Sequence, residues 1–147
     1  MQTNSTSYTV PQIQENTWYY LVYVRDSGNN ATVYLNGTRS TSGVQTDNYT
    51  YANSNLIGCW NQNQDLIPDN FFSGYLSNLC ITSVALFNPS TYSTIPIPTA
   101  PFTLNSNTLL LLNTTSLTVP FIDSSPNDFT MTGVGTPGPQ ISNTGPF

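Results

Sequence analysis

Residues 16–38 read NTWYYLVYVRDSGNNATVYLNGT. The run from Thr17 to Arg25 is aromatic and branched, the composition that packs well on a pleated surface. Tyr20, Val22 and Val24 alternate with Tyr19, Leu21, Tyr23 and Arg25, and both sets are largely apolar. That pattern predicts a central strand covered on both faces. Asp26-Ser27-Gly28-Asn29-Asn30 is turn chemistry, because Gly and Asn tolerate positive φ. Val33 and Leu35 then resume on one face. Asn36-Gly37 is the strongest short hairpin signal a sequence carries, and it leads to a third strand.

Outward from this stretch the same grammar repeats. No window keeps apolar residues at helical spacing with a cap at each end. Gly, Pro, Asn and Ser punctuate the chain at the short intervals of an all-β protein. Strands are predicted over Tyr8–Ile13, Thr17–Arg25, Ala31–Asn36, Arg39–Gln45, Ser54–Asn61, Phe71–Ser83, Thr108–Leu112, Thr118–Asp123 and Asp128–Thr132. Strands this short and numerous imply two stacked antiparallel sheets, a sandwich or jelly roll. Pro89, Pro96, Pro98 and Pro101 exclude the segment after Phe87 from any central strand. The expectation is an extended wrap over residues 87–102, with Tyr92, Ile95, Ile97 and Phe102 turned onto the sheet. Residues 1–112 are read as the sandwich core, and 113–147 as extra strands and an extended arm.

Composition narrows the function. A chain of 147 residues fits one domain and can bury roughly 70% of its unfolded surface. Charged residues make up only 6%, far below the usual quarter or so. Asn, Gln, Ser and Thr take their place, and such neutral groups lose less hydration than ions when a neighbour covers them. Net charge is −5, with Arg25 and Arg39 the only basic side chains and no His. Without a basic patch, nucleic acid and anionic membrane are poor partners. Without His, the commonest general base and metal ligand are both missing. The longest plainly apolar run, Leu109–Leu112, is far too short to span a bilayer. MQTNSTSYTV has neither a basic nor an apolar region of a secretory signal, so the expectation is release by assembly and lysis, or an excised piece.

Cys59 and Cys80 have no zinc or redox spacing. Each sits in a β-like run, LIGCW and NLCIT, and reads as a buried thiol. If those runs paired antiparallel about Asp69-Asn70, a disulfide would become geometrically possible.

Several motifs carry a family likeness. Asn16-Thr-Trp-Tyr-Tyr, Val22-Tyr-Val-Arg-Asp, Val33-Tyr-Leu-Asn-Gly, Leu56-Ile-Gly and Phe72-Ser-Gly-Tyr-Leu-Ser-Asn-Leu together resemble the laminin-G-like branch of the concanavalin-A-like jelly rolls. The Pro-rich stretch through Pro101-Phe102, followed by Asn107-Thr-Leu-Leu-Leu-Leu, is similar to the versions found in phage and large-virus structural proteins. The likeness covers roughly residues 8 to 112. Two departures stand out. The strands that precede the Trp strand in the family are missing, while Leu109–Leu112, the segment from Phe121 and the closing Ser142–Phe147 resemble the start of such a domain. The resemblance therefore implies either a permuted sandwich, or an incomplete one whose open edges a neighbour completes.

Chemistry is sparse. Glycan-cleaving members of the resembled family carry clustered carboxylates, and hydrolysis needs two of them about 5–10 Å apart. Glu15 is the only glutamate, and Asp65/Asp69 and Asp123/Asp128 sit in turn-like surroundings. With no His or Lys, no Ser or Thr can be activated in the usual way. The expectation is therefore a protein that is not an enzyme. Calcium takes six to eight oxygens. Asp65, Asp69 and Asn70 offer some of them, as do Asp26, Asn29 and Asn30, though all of these also suit ordinary turns. Trp60 followed by Asn61, Asn63 and Asp65, and Tyr49 and Tyr51 beside Asp47, offer flat rings next to amides and carboxylates. Those are the elements of a saccharide site, and they fall at strand ends or loops where sites usually lie. Trp60 also reads as the last core residue of its strand, and Trp18 as core.

The sequence therefore points to a virion structural protein on the particle surface, a capsid-decorating or fibre-associated subunit. Its partners would be other virion or fibre proteins and copies of itself. The alternative is a lectin-like module binding host-surface glycans.

Overall fold

A computed structural model describes residues 9–47, 55–59, 70–113, 121–135, 138–142 and 145–146. No helix occurs among them. The described strands are β1 (Leu21–Arg25), β2 (Asn30–Leu35), β3 (Thr38–Val44), β4 (Leu79–Thr82) and β5 (Thr108–Leu112). The chain folds as two compact units, each drawn from two separate stretches. The first holds Met1–Tyr49 and Thr82–Thr99; the second holds Thr50–Ile81 and Ala100–Phe147.

In the first unit β1, β2 and β3 form an antiparallel sheet in that order. Asn36 and Gly37 make the two-residue turn between β2 and β3, with φ of 47° and 77°. Both positive values are what a type I′ hairpin requires. Asn36 also closes the first hairpin: its N–H donates to Tyr20 O at 2.8 Å, and its Oδ1 accepts from Tyr20 N at 2.9 Å. The β2–β3 register slips between Thr32 and Tyr34, a bulge that gives β3 one extra residue.

Burial corrects the expected order. β2, not the Thr17–Arg25 strand, is central, and four of its six residues are buried. β1 lies at the sheet's edge, with Leu21 61% and Tyr23 54% exposed. Only its Val22/Val24 face packs inward, against Tyr34 and Ile95, with Tyr20, Ala85 and Phe87 beside them. Trp18 is half-buried.

The proline-rich segment is the strap that closes this core. Ile95 N donates to Gly37 O at 2.8 Å, Arg39 N donates to Ser93 O at 3.0 Å, and Thr38 bridges Thr94 antiparallel. Tyr34, fully buried, donates its hydroxyl to Tyr92 O at 2.9 Å, and Arg39 Nη1 donates to Pro89 O at 2.9 Å. Burial pushes the Tyr34 hydroxyl above its usual pKa, with Arg39 partly opposing. Of the four apolar residues expected to face inward, Ile95 does so at 6% exposure and Phe102 is half-buried, but Tyr92 and Ile97 are exposed. The strap spends its backbone groups on β3 and the β2–β3 turn, so alternate side chains must point outward. Tyr92 still meets Phe87 edge to face, with ring centroids 6.1 Å apart.

In the second unit β4 pairs with β5. Asp123 is the organising residue, only 3% exposed. Its Oδ1 accepts from Leu111 N and Ser125 N, both at 2.9 Å, and its Oδ2 accepts from Phe129 N at 3.0 Å. Ser125 Oγ lies 2.8 Å from both Asp123 Oδ2 and Leu109 O, and its single proton serves one of them at a time. Burial raises the carboxyl's pKa, but these donors outweigh it and hold the group below its ordinary value. A carboxylate so filled is a structural latch, tying residues 121–129 to β5.

Several expected strands are absent among the described residues. Residues 9–13, 55–59, 71–78, 121–123 and 128–132 carry no ladder. Backbone breaks explain much of this. Gly58, Asn70, Asn78, Phe121 and Asp128 all have positive φ, which no strand interior accommodates. Asn78 instead uses its Oδ1 to accept from Phe102 N. The pairing that the disulfide geometry needed is not formed among the described residues: Leu56–Cys59 carries no ladder, and the partner of β4 is β5. Cys59 and Cys80 are half-buried free thiols, and burial raises the Cys80 pKa.

Candidate functional site

The β1–β2 turn is a densely hydrogen-bonded polar feature of the first unit. Asp26 N donates to Asn30 O and Asn29 N donates to Asp26 O, each at 3.0 Å, so the loop closes on itself. The Asp26 carboxylate accepts from Asn30 N at 2.9 Å and from Asn30 Nδ2 at 3.0 and 3.2 Å. The Asn30 amide holds the Asp26 carboxyl below its ordinary pKa; the Asn30 and Gly28 backbone N–H groups help, and desolvation opposes. Arg25 crosses to donate to Asp47 O at 2.7 Å and to Asn29 Oδ1 at 3.0 Å. Gln45 N donates to Asn29 O at 2.8 Å, which fixes the end of β3 to the same turn.

Beside this turn lies an open cleft of about 480 Å³, lined by Arg25, Asp26, Ser27, Ser83, Val84, Ala85 and Asn88. It offers a guanidinium, a carboxylate, two hydroxyls and an amide over a small aliphatic floor. Such a lining can exchange hydrogen bonds with a polar ligand. Of the oxygens this turn offers to calcium, the Asp26 carboxylate accepts from Asn30 and Asn29 Oδ1 accepts from the Arg25 guanidinium. Among the described residues, no three His, Cys, Asp or Glu side chains gather where a metal could be held.

The residues singled out for sugar or calcium fall mostly elsewhere. Tyr49, Tyr51, Trp60, Asn61, Asn63, Asp65 and Asp69 lie outside the described residues. Asn70 is described: it is exposed, and its φ of 47° is that of a turn residue. Ser83 and Asn88 were not foreseen. They follow β4, far along the chain from Arg25, and no spacing rule links them to it. The hint available was that RDSGNN is dense in side-chain oxygens.

The sequence pattern described as the concanavalin A-like lectin/glucanases superfamily, in its laminin-G form, matches residues 2–90. Comparison with curated proteins and with solved structures gave no match. The match spans more than half of the chain, and the described backbone is helix-free with an antiparallel sheet, as a jelly-roll sandwich requires. The chain is therefore an all-β member of the concanavalin A-like lectin/glucanases superfamily.

Proposed function

We propose that this chain is a non-enzymatic structural subunit of a virus particle, decorating a capsid or attached to a fibre, and displayed at the particle surface. The reading rests on the likeness of its motifs to phage and large-virus versions of the fold, and on its surface. One observation carries it furthest. Among the described residues seven apolar side chains are buried, while twenty large ones are exposed. Folded monomers rarely leave extended apolar surface in water, and permanent assemblies are where such surface is used. Few charges stand in the way of close packing, since only nine of 147 residues are ionised. Neighbours are then held by shape, apolar contact and neutral hydrogen bonds. The test is co-sedimentation of the purified chain with capsid or tail components, alongside its own oligomeric state. A stable, soluble monomer with no affinity for those components overturns the proposal.

A lectin-like adhesion module is the second reading, and the cleft favours it. Asp26, Ser27, Ser83 and Asn88 supply acceptors and donors of the kind that read sugar hydroxyls, over Val84 and Ala85. A glycan array separates the two readings. Binding lost in Asp26→Ala or Asn88→Ala locates a sugar site in the cleft, and binding lost only in Trp60→Ala locates it at Trp60. A blank array removes the second reading.

A further inference from the structure

No further inference is drawn: the strongest candidate, the exposed apolar patch of the second unit at Leu56, Ile57, Phe71, Phe72 and Leu76, has nothing in the structure to show what covers it.

Discussion

Gly37 sits where no side chain fits. A Cβ there would lie 2.5 Å from Ile95 O, and its φ is +77°. The positive φ alone costs an L-residue about 1–2 kcal/mol, and the clash falls on backbone that the strap cannot easily move. Gly37→Ala is therefore expected to lower stability by on the order of 3 kcal/mol, read from the urea midpoint. Asp123 acts through charge. Its folded pKa lies below the ordinary 3.8, so the unfolded chain binds the proton more tightly than the native one. Its contribution is complete above that ordinary value and is lost as pH falls through the folded pKa. Asp123→Asn replaces one acceptor oxygen with a donor facing other donors. The expected outcome is a loss on the order of 2 kcal/mol at neutral pH and a shallower acid-unfolding slope than the parent chain shows. Two free thiols are expected in the intact protein, both alkylated without reductant, with Cys80 slower at neutral pH than a fully exposed thiol because burial disfavours its thiolate.

At the scale of elements, the strap decides how the first sheet ends. β3 presents its start, Thr38 and Arg39, to Ser93, Thr94 and Ile95, which gives that edge a partner without a further long strand. Prolines suit this role, since an edge-lying segment needs only alternate N–H groups. Tyr34→Phe removes the hydroxyl that holds Tyr92 O and leaves the ring in place. A loss of about 1 kcal/mol is expected, with faster hydrogen exchange at the Ile95 amide and little change in β1. Unchanged exchange at Ile95 would show that the Tyr34 bond is incidental to the strap. The hairpins were legible because their signals are local: Asp-Ser-Gly-Asn-Asn and Asn-Gly name their own turns. The runs that failed as strands were misread because alternation reports which side chains could share a face, not whether a neighbour supplies hydrogen bonds. Asn70, Asn78 and Asp128 are residues that tolerate positive φ, and in hindsight they mark the breaks; Phe121 gives no such warning.

At the scale of the molecule, the balance between apolar and charged surface sets the behaviour. Association driven by apolar and neutral contacts is insensitive to salt, unlike pairing between charged patches. Self-association or particle binding is therefore expected to survive, or strengthen, as sodium chloride rises from 0.05 to about 1 M, measured by sedimentation velocity. Dissociation by salt would point to charge pairing and count against the proposed assembly. The candidate cleft belongs to this scale too. Arg25 and Asp26 are hairpin residues, but Ser83 and Asn88 come from the segment that follows β4, far along the chain.

By itself the sequence determined the all-β class, the two hairpins with their turns, and an exterior almost without charge. Those follow from short-range rules of φ, alternation and composition, which act within a few residues. Tertiary structure alone decided that β2 is central and β1 an edge, that β4 pairs with β5, that both thiols are free, and that Asp123 is a buried latch. Each of these depends on which distant backbone offers a hydrogen bond or covers a face, and no local pattern of side chains encodes that choice.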